Sequence, residues 1–177
     1  MMAADPAPIV CPRLRLLLVP ADAVRGLLGG DRAGASGLLG LSLPPEFPAG
    51  PDDVFLQVQL RRMEEDPGGR GWCVRAMVLE EDSAVIGYCG FHGPPKAVGR
   101  AEIGYTVFQK FRSRGYATEA AQGLIQWARH NGERKVFASV APSNGPSVAV
   151  LTKLGFRHIG EQMDEIDGKE LVFELAL

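Results

Sequence analysis

The chain has 177 residues, of which 46% are hydrophobic and 23% charged, so it fits one globular domain with a sizeable core. Its formal net charge of -2 gives no support to general nucleic-acid binding, which normally shows a basic excess. No apolar run approaches the roughly 18 residues needed to cross a bilayer. The N-terminal sequence MMAADPAPIVCPRL also lacks the basic and then apolar order of a secretory signal. We therefore expect a cytoplasmic protein that binds neither nucleic acid nor membrane.

The cysteines and histidines form no recognisable motif. Cys11, Cys73 and Cys89 are odd in number and far apart, without CxxC or Cys/His spacing. We predict neither a disulfide nor a metal site, and we expect Cys73 and Cys89 to be small core side chains. The scattered histidines are expected to be structural or solvated. They are His92, His130 and His158.

The first third of the chain predicts a strand, two helices and a long loop. Residues 1–12 are expected to be flexible, and RLRLLLVP at 13–20 alternates arginine with leucine, which is typical of a strand. A short helix is predicted at 22–28, followed by a Gly- and Pro-rich loop at 29–51. Asp52 is expected to cap a helix that runs to about Glu64, with an apolar face listed as Val54, Phe55, Val58 and Met63.

Three strands with short connections follow. They are predicted at 72–79, 84–92 and 100–108, and the intervening EEDS and GPPKAVG read as turns. Short connections imply an antiparallel meander.

The remaining chain alternates helices and strands. Apolar residues at helical spacing predict a helix at 117–130 that Asn131-Gly132 ends. The strand predicted at 135–140 can lie parallel to 100–108 after one crossover helix. Pro146 suits the start of a helix that Gly155 ends, and the last two strands are joined by DEIDGK, in which Asp167-Gly168 suits a hairpin turn. The fold class is therefore a mixed α/β sheet in one domain.

The sequence FRSRGYATEA at 111–120 is a candidate anion site. An apolar strand leads into a basic, glycine-containing loop and then a helix, and the first N–H groups of a helix lack intrahelical partners. Gly115 lets the backbone approach a ligand, and Ala117 is nearly as small. The alternative interpretation is an ordinary basic turn. Neither a Walker loop nor GxGxxG is present, which disfavours a nucleoside triphosphatase or a Rossmann dehydrogenase.

Two segments together resemble the GNAT superfamily of acyl-CoA-dependent N-acetyltransferases. They are AEIGYTVFQKFRSRGYATEA at 101–120 and SNGPSVAVLTKLGF at 143–156. The sequence looks most like the branch that includes the ribosomal-protein N-terminal acetyltransferases. The resemblance covers roughly 84–177, and RLRLLLVPAD and LGLSLPPEFP match the opening segments of that branch more loosely. It implies a single domain over 1–177 with a mostly antiparallel sheet, flanked by helices and splayed at the acetyl-CoA site.

The resemblance also implies where acetyl-CoA would bind. Residues 84–156 would form the cofactor core, and 21–67 would form a wall of the acceptor cleft. The pantetheine arm would pair with the backbone of Tyr105, Thr106 and Val107. The pyrophosphate loop would contain Arg112, Ser113, Arg114, Gly115, Tyr116, Ala117 and Thr118. Asn144 would contact the pantetheine end, and it also suits a helix cap. No metal is implied.

Glu102 and Ser147 are the candidate catalytic residues. A primary ammonium must lose a proton before it attacks the thioester, and relatives with an acid in the EIGY setting suggest Glu102 as the base, directly or through water. The alternative is that Glu102 orders the strand. Ser147 could donate to the departing sulfur, or it could be an ordinary first-turn serine. The chain departs from relatives that carry a tyrosine acid in the helix after the Asn motif, because Leu151 stands there, and from relatives that place a glutamate base on the preceding strand, because Ser139 stands there.

The sequence therefore predicts an acetyl-CoA-dependent transferase that acetylates a primary amine, either a small molecule or a protein N-terminus. Because the tyrosine is missing, a catalytically degenerate CoA-binding module is the alternative. A longer acyl donor also stays open. The oligomeric state is open as well, although homodimers are common among such proteins.

Overall fold

The computed structural model describes residues 6–165 and 168–177. The strands of this part of the chain are β1 Ile9–Val10, β2 Leu14–Leu18, β3 Arg75–Leu79, β4 Val85–Phe91, β5 Ile103–Val107, β6 Lys135–Val140, β7 Arg157–Asp164 and β8 Gly168–Ala176. The α-helices are α1 Ala21–Leu28, α2 Arg32–Leu39, α3 Val54–Glu65, α4 Pro95–Val98, α5 Tyr116–His130 and α6 Gly145–Lys153. Short 3-10 helices lie at Pro67–Trp72 and Gln109–Phe111.

The strands form two antiparallel sheets that meet along one line. One sheet has the order β1-β2-β3-β4-β5 and the other β6-β8-β7. Within the described residues, a single parallel bridge between Glu102 and Phe137 joins them, and the Phe137 N–H donates to the Ala101 carbonyl at 2.8 Å. This confirms that 135–140 runs parallel to the third meander strand. Beyond the bridge, β5 and β6 do not pair.

Helices cover both faces of the larger sheet, which explains the continuous burial of β3. Met77 packs with Leu124 and other residues of α5, whereas Ala76 and Val78 pack with the cluster formed by α1, α2 and α3. The helical periodicity predicted for α5 is confirmed, because its predicted apolar positions are all buried. These are Ala120, Ala121, Leu124, Ile125 and Ala128. Among the described residues, no helix has both the length and the apolar composition that a bilayer crossing requires.

The predicted loop at 29–51 is wrong in its first part, because it contains α2. The Asp31 side chain accepts from the Gly34 N–H at 2.8 Å and caps the helix, which Gly40 ends at a φ of 65°. Ala35 is buried against α1 and its neighbours. The glycines obscure the helical pattern, and docking of a short apolar face decides the conformation.

Two details of α3 also differ from the prediction. Asp53 caps the helix instead of Asp52, since its side chain accepts from the Leu56 N–H at 2.9 Å. The buried residues are Leu56, Gln59 and Met63, whereas Val54 and Phe55 are 45% and 38% exposed. Gln59 is buried because its amide accepts from the Val74 N–H at 2.9 Å and so ties α3 to the sheet. A polar core position of this kind gives no apolar periodicity.

Smaller corrections concern segment ends. The predicted strand 72–79 begins only at Arg75, and the predicted turn GPPKAVG contains α4. Residues 1–12 were expected to be flexible, but Ile9 and Val10 pair with β2, and residues 1–5 lie outside the described part. Asp167 of the predicted hairpin turn also lies outside it, although β7 and β8 do pair antiparallel. Cys73 and Cys89 are free and buried, as predicted.

Candidate functional site

A cavity of about 490 Å³ opens where β5 and β6 separate. Ile103 to Thr106 line it from β5, and Ala138 to Val140 line it from β6. The other edge of β5 pairs with β4, in a register that places Cys89 opposite Tyr105 and Gly87 opposite Val107. The edge of β5 that faces β6 is therefore open to an extended ligand. Of the three predicted pantetheine contacts, Tyr105 and Thr106 line the cavity and Val107 does not.

The segment after β5 presents the N-terminus of α5 to solvent. Residues 112–115 are exposed, and Ser113 and Gly115 adopt left-handed conformations with φ of 61° and 83°. Gly115 precedes Tyr116, the first residue of α5, and no side chain caps this helix. Its first N–H groups and the positive end of its dipole thus face outward, which is the arrangement that binds phosphate.

The two arginines of this loop make different contacts. The Arg112 Nε donates to the Val107 carbonyl at 2.9 Å, so its guanidinium folds back onto the end of β5. Arg114 is exposed, and its carbonyl accepts from Arg13 Nη1 at 3.2 Å. The Arg13 guanidinium also lies 4.6 Å from the centre of the Tyr116 ring. Tyr116 therefore packs on Arg13, and Ala117 and Thr118 continue the half-buried first turn of α5.

The start of α6 faces the loop side of the cavity. The Asn144 side chain accepts from the Ser147 N–H at 3.2 Å, which confirms its capping role, and both residues line the cavity. The Tyr105 hydroxyl reaches across from β5 and lies 3.5 Å from the Ser147 carbonyl. Burial raises the pKa of this hydroxyl, and its contact with Ser147 offsets only part of that effect.

Glu102 lies at the bridged end of the cleft within a network of polar side chains. Its Oε2 accepts from Arg100 Nε at 2.7 Å, and its Oε1 accepts from the Ser139 hydroxyl at 2.5 Å. Gln162 connects this pair to Glu170 of β8, since its Nε2 donates to the Ser139 hydroxyl at 3.1 Å and to Glu170 Oε2 at 2.8 Å. Glu170 itself lines the cavity.

The surroundings keep the Glu102 carboxylate ionised. Burial alone would raise its pKa, but hydrogen bonds from Arg100 and Ser139, the charge of Arg100 and, whenever its ring is protonated, the charge of His92 lower that pKa below its usual value. The side chain is only 9% exposed. Glu102 is therefore a fixed negative charge with both oxygens engaged.

His92 is one of the residues at this site that the sequence prediction missed. It lines the cavity, and its Nδ1 lies 3.7 Å from Glu102 Oε1. The signal was available in the pairing of the two predicted strands. His92 follows β4 directly, Glu102 precedes β5 directly, and the His92 N–H donates to the Glu102 carbonyl at 2.8 Å. Within the described residues, no group of three metal-binding side chains comes together.

A family model described as an acetyltransferase (GNAT) domain matches residues 43–157. The chain belongs to this GNAT family. Among curated relatives it is 36% identical over 86 residues to the uncharacterized N-acetyltransferase p20 of Bacillus licheniformis, which is 48% of this chain and 48% of the relative. It is 34% identical over 90 residues to the uncharacterized N-acetyltransferase YjdG of Bacillus subtilis, which is 50% of this chain and 54% of that protein. The chain thus spans about half the length of the curated relatives it matches.

Solved structures show the same fold along nearly the whole chain. An acetyltransferase from Agrobacterium tumefaciens is 22% identical with a TM-score of 0.64, covering 100% of this chain and 98% of that one. RimL, a ribosomal alpha-N-protein acetyltransferase in complex with coenzyme A, is 16% identical with a TM-score of 0.65, covering 96% and 98%. MccE, a microcin self-immunity acetyltransferase in complex with acetyl-CoA and AMP, is 18% identical with a TM-score of 0.63, covering 94% and 93%. The splayed sheet is therefore the GNAT fold.

Proposed function

We propose that this protein is an acetyl-CoA-dependent N-acetyltransferase that moves the acetyl group to a primary amine. The single observation that carries this proposal is the order of three features along β5. An exposed, uncapped helix N-terminus lies at one end, the open edge of β5 runs along the middle, and a buried carboxylate lies at the other end. Family membership supports the same reaction.

The residues would hold acetyl-CoA as follows. Backbone N–H groups from Ser113 to Thr118 bind the pyrophosphate, with Arg112 and Arg114 adding positive charge. The pantetheine arm lies along Tyr105, Thr106 and Val107, and Asn144 contacts its end. RimL and MccE, which share the fold, were solved with coenzyme A or acetyl-CoA, which supports this assignment.

The reaction then needs a route for one proton and a stabilised leaving group. A lysine-like ammonium has an ordinary pKa of about 10.4 and an α-ammonium about 7.8, so a lysine-like amine depends more on a base. Glu102 supplies the negative charge that favours removal of this proton, and it acts through an intervening group because its oxygens are engaged. The carbonyl oxygen gains charge and needs a donor, which an N–H group at the open edge can supply. Ser147 donates to the departing sulfur.

The acceptor is expected to carry a cationic amine. Among the described residues, Glu170 has a hydrogen bond from Gln162 but no cationic partner, and it adds negative charge to the cavity wall. Phe55 of α3 and Tyr88 of β4 form the apolar side, with ring centres 5.4 Å apart. The likeness to RimL makes peptides with a free N-terminus the first acceptors to test.

Two measurements test the proposal. Isothermal titration should show binding of acetyl-CoA and weaker binding of longer acyl-CoAs. Thiol release should then be measured with a panel of alanine- and serine-initiated peptides, a lysine peptide with a blocked N-terminus, spermidine, kanamycin and free amino acids. Saturable turnover of at least one amine is expected. Tight CoA binding without turnover on any amine would favour the alternative, a CoA-binding module without catalysis.

A further inference from the structure

His92 occupies the position that a proton acceptor for the amine would need. It follows β4 at the bridged end of the cleft, lines the cavity and is 48% exposed at its side chain. The two ring nitrogens have different surroundings. Nδ1 lies 3.7 Å from Glu102 Oε1, and Nε2 lies above Gly104, where an added Cβ would be 3.3 Å from it. The missing side chain at Gly104 makes room for the imidazole.

Glu102 by itself is poorly arranged to take a proton. Its side chain is 9% exposed, and its two oxygens accept hydrogen bonds from Arg100 and Ser139. Protonation would weaken both interactions and leave the Arg100 charge without its partner. An amine in the cavity meets the imidazole edge more readily than this carboxylate, because His92 is far more exposed.

We propose that Nε2 of His92 takes the proton from the acceptor ammonium, and that Glu102 positions the ring and stabilises the imidazolium that forms. This inference rests on the proposed acetyltransfer and names the group that performs its proton-transfer step. The Nδ1 to Oε1 separation is longer than a hydrogen bond, and such contacts in unliganded sites often tighten when substrate binds.

The step balances as follows. The ammonium gives one proton to Nε2, and the freed lone pair attacks the thioester carbon, forming the C–N bond as the carbonyl π electrons move to oxygen. When the carbonyl re-forms, the C–S bond breaks and its electrons go to sulfur. The thiolate takes one proton to become the free thiol, and the nitrogen loses its second proton as the amide forms. The net products are the acetylated amine, coenzyme A and one released proton.

Charged groups from several elements face this pair. Arg100 pairs with Glu102 from the segment before β5, and Arg62 of α3 lies against the turn after His92, since an added Cβ at Gly93 would be 2.6 Å from its Cδ. Glu170 lines the same cavity from β8. An imidazolium at His92 would add positive charge beside Arg62 and Arg100. The carboxylates of Glu102 and Glu170 offset that charge.

The kinetic experiment compares His92→Gln, Glu102→Gln and the control His130→Gln, with the amine of the panel above that wild type acetylates fastest. His130 lies at the far end of α5, and its Nδ1 contacts the Gln126 carbonyl. We expect His92→Gln to lower kcat by about 10²-fold or more, with the Kd for acetyl-CoA unchanged, since general base catalysis contributes roughly 10²–10⁴-fold. The control should match wild type.

Added imidazole separates catalysis from structure. It should restore turnover of His92→Ala in a saturable way, and it should leave wild type unaffected. A more basic methylimidazole should restore turnover further. If His92→Gln keeps the wild-type kcat, or if imidazole restores nothing to a folded His92→Ala protein, the inference is wrong while the proposed function stands. If no amine is turned over by wild type, both fail.

Nitrogen NMR tests the pairing of His92 with Glu102 without any substrate and without any substitution of His92. In the wild-type protein, long-range N–H correlations should show the neutral ring of His92 with its proton on Nδ1, which faces Glu102, and Nε2 unprotonated. Glu102→Gln should reduce the proportion of this tautomer, whereas His130 and His158 should keep theirs. A wild-type ring protonated on Nε2, or a tautomer ratio that Glu102→Gln leaves unchanged, would overturn the positioning role.

Discussion

Arg13 and Glu119 join the start of β2 to the first turn of α5 through two hydrogen bonds. The Arg13 backbone N–H donates to Glu119 Oε1 at 2.6 Å, and its Nε donates to Oε2 at 2.7 Å. Glu119 is 8% exposed. The pair lies directly behind the loop at 112–115, because Arg13 also donates to the Arg114 carbonyl. It therefore holds the proposed phosphate-binding loop against the sheet.

Glu119→Gln should destabilise the protein and weaken cofactor binding. It removes the charge from two hydrogen bonds at a largely buried position, and hydrogen bonds to charged groups contribute about 1.5–3 kcal/mol each. We expect a loss of roughly 1–3 kcal/mol in the free energy of unfolding by urea denaturation. The control is Arg25→Gln, which breaks exposed pairs with Asp22 and Glu64; such pairs contribute about 0–1 kcal/mol. Equal losses in the two variants would contradict the role given to Glu119.

Gly115→Ala should weaken acetyl-CoA binding beyond its effect on stability. Gly115 has a φ of 83°, so a Cβ there costs about 1–2 kcal/mol, and it would also lie where a phosphate approaches. Gly132→Ala is a matched control at the other end of α5, with a φ of 89° and open space around an added Cβ. Both variants should lose similar stability, but only Gly115→Ala should raise the Kd for acetyl-CoA, by tenfold or more. Unchanged affinity would remove the phosphate loop from the proposal.

We predict that Asn144 has two roles that can be separated by substitution. Its side chain caps α6, and we propose that it also contacts pantetheine. Asn144→Ala should lose about 1 kcal/mol of stability together with cofactor affinity, whereas Asn144→Ser should keep most of the stability because serine also caps helices. Thermal unfolding and titration calorimetry measure the two effects. Wild-type affinity in a stable Asn144→Ser protein would limit the residue to capping.

Ser147→Ala is expected to lower kcat about tenfold while leaving the Kd for acetyl-CoA unchanged, because one hydrogen bond to the developing thiolate contributes about 1–1.5 kcal/mol. Ser143→Ala changes an exposed serine of the same turn and should leave kcat as it is. The assignment of Ser147 is lost if the two variants behave alike in single-turnover measurements with the best acceptor.

The cysteine thiols should be unreactive in the folded protein at pH 8. Burial, and then the charge of Glu119, raises the pKa of Cys11 to about 11. Burial also raises the pKa of Cys73 to about 11, against the opposing effect of Arg62 and Arg75. An aromatic disulfide reagent should therefore label the native chain slowly and all three thiols quickly in urea. Rapid labelling of a thiol in the native protein would contradict the burial of that thiol.

The same pKa shifts determine the direction in which stability changes with pH. The native state holds the thiol proton more tightly than the unfolded chain, whose thiols have an ordinary pKa of about 8.5. The stabilising contribution is therefore complete below about pH 8.5 and is lost as the pH rises towards about 11. Urea unfolding at pH 7 and pH 10 measures this loss, and Cys73→Ala should reduce it. A loss that Cys73→Ala leaves unchanged would assign the effect to other groups.

Local signals were enough for most of the elements. Turns and short connections located the meander, and the period-3.6 pattern located α5, because that helix buries one face against the core. The glycine at 115 and the asparagine at 144 were also identified from sequence, since turns and caps depend on residues that are adjacent in the chain. Helix α2 was not predicted, because docking of its short apolar face determines its conformation. The burial of Gln59 was not predicted either, because it depends on a hydrogen bond from the Val74 N–H.

The amino-acid sequence by itself thus determined the order of most of the elements and the motif that resembles the GNAT superfamily. Only the tertiary structure decided the electrostatics of the cleft. Arg100 and Glu102 lie in the segment before β5, Ser139 in β6 and Gln162 in β7, and they meet because the two sheets touch at a single bridge. Charge, burial and proton transfer depend on distances between such residues. No pattern along the chain encodes those distances directly, which is why His92 became visible only once the strands were paired.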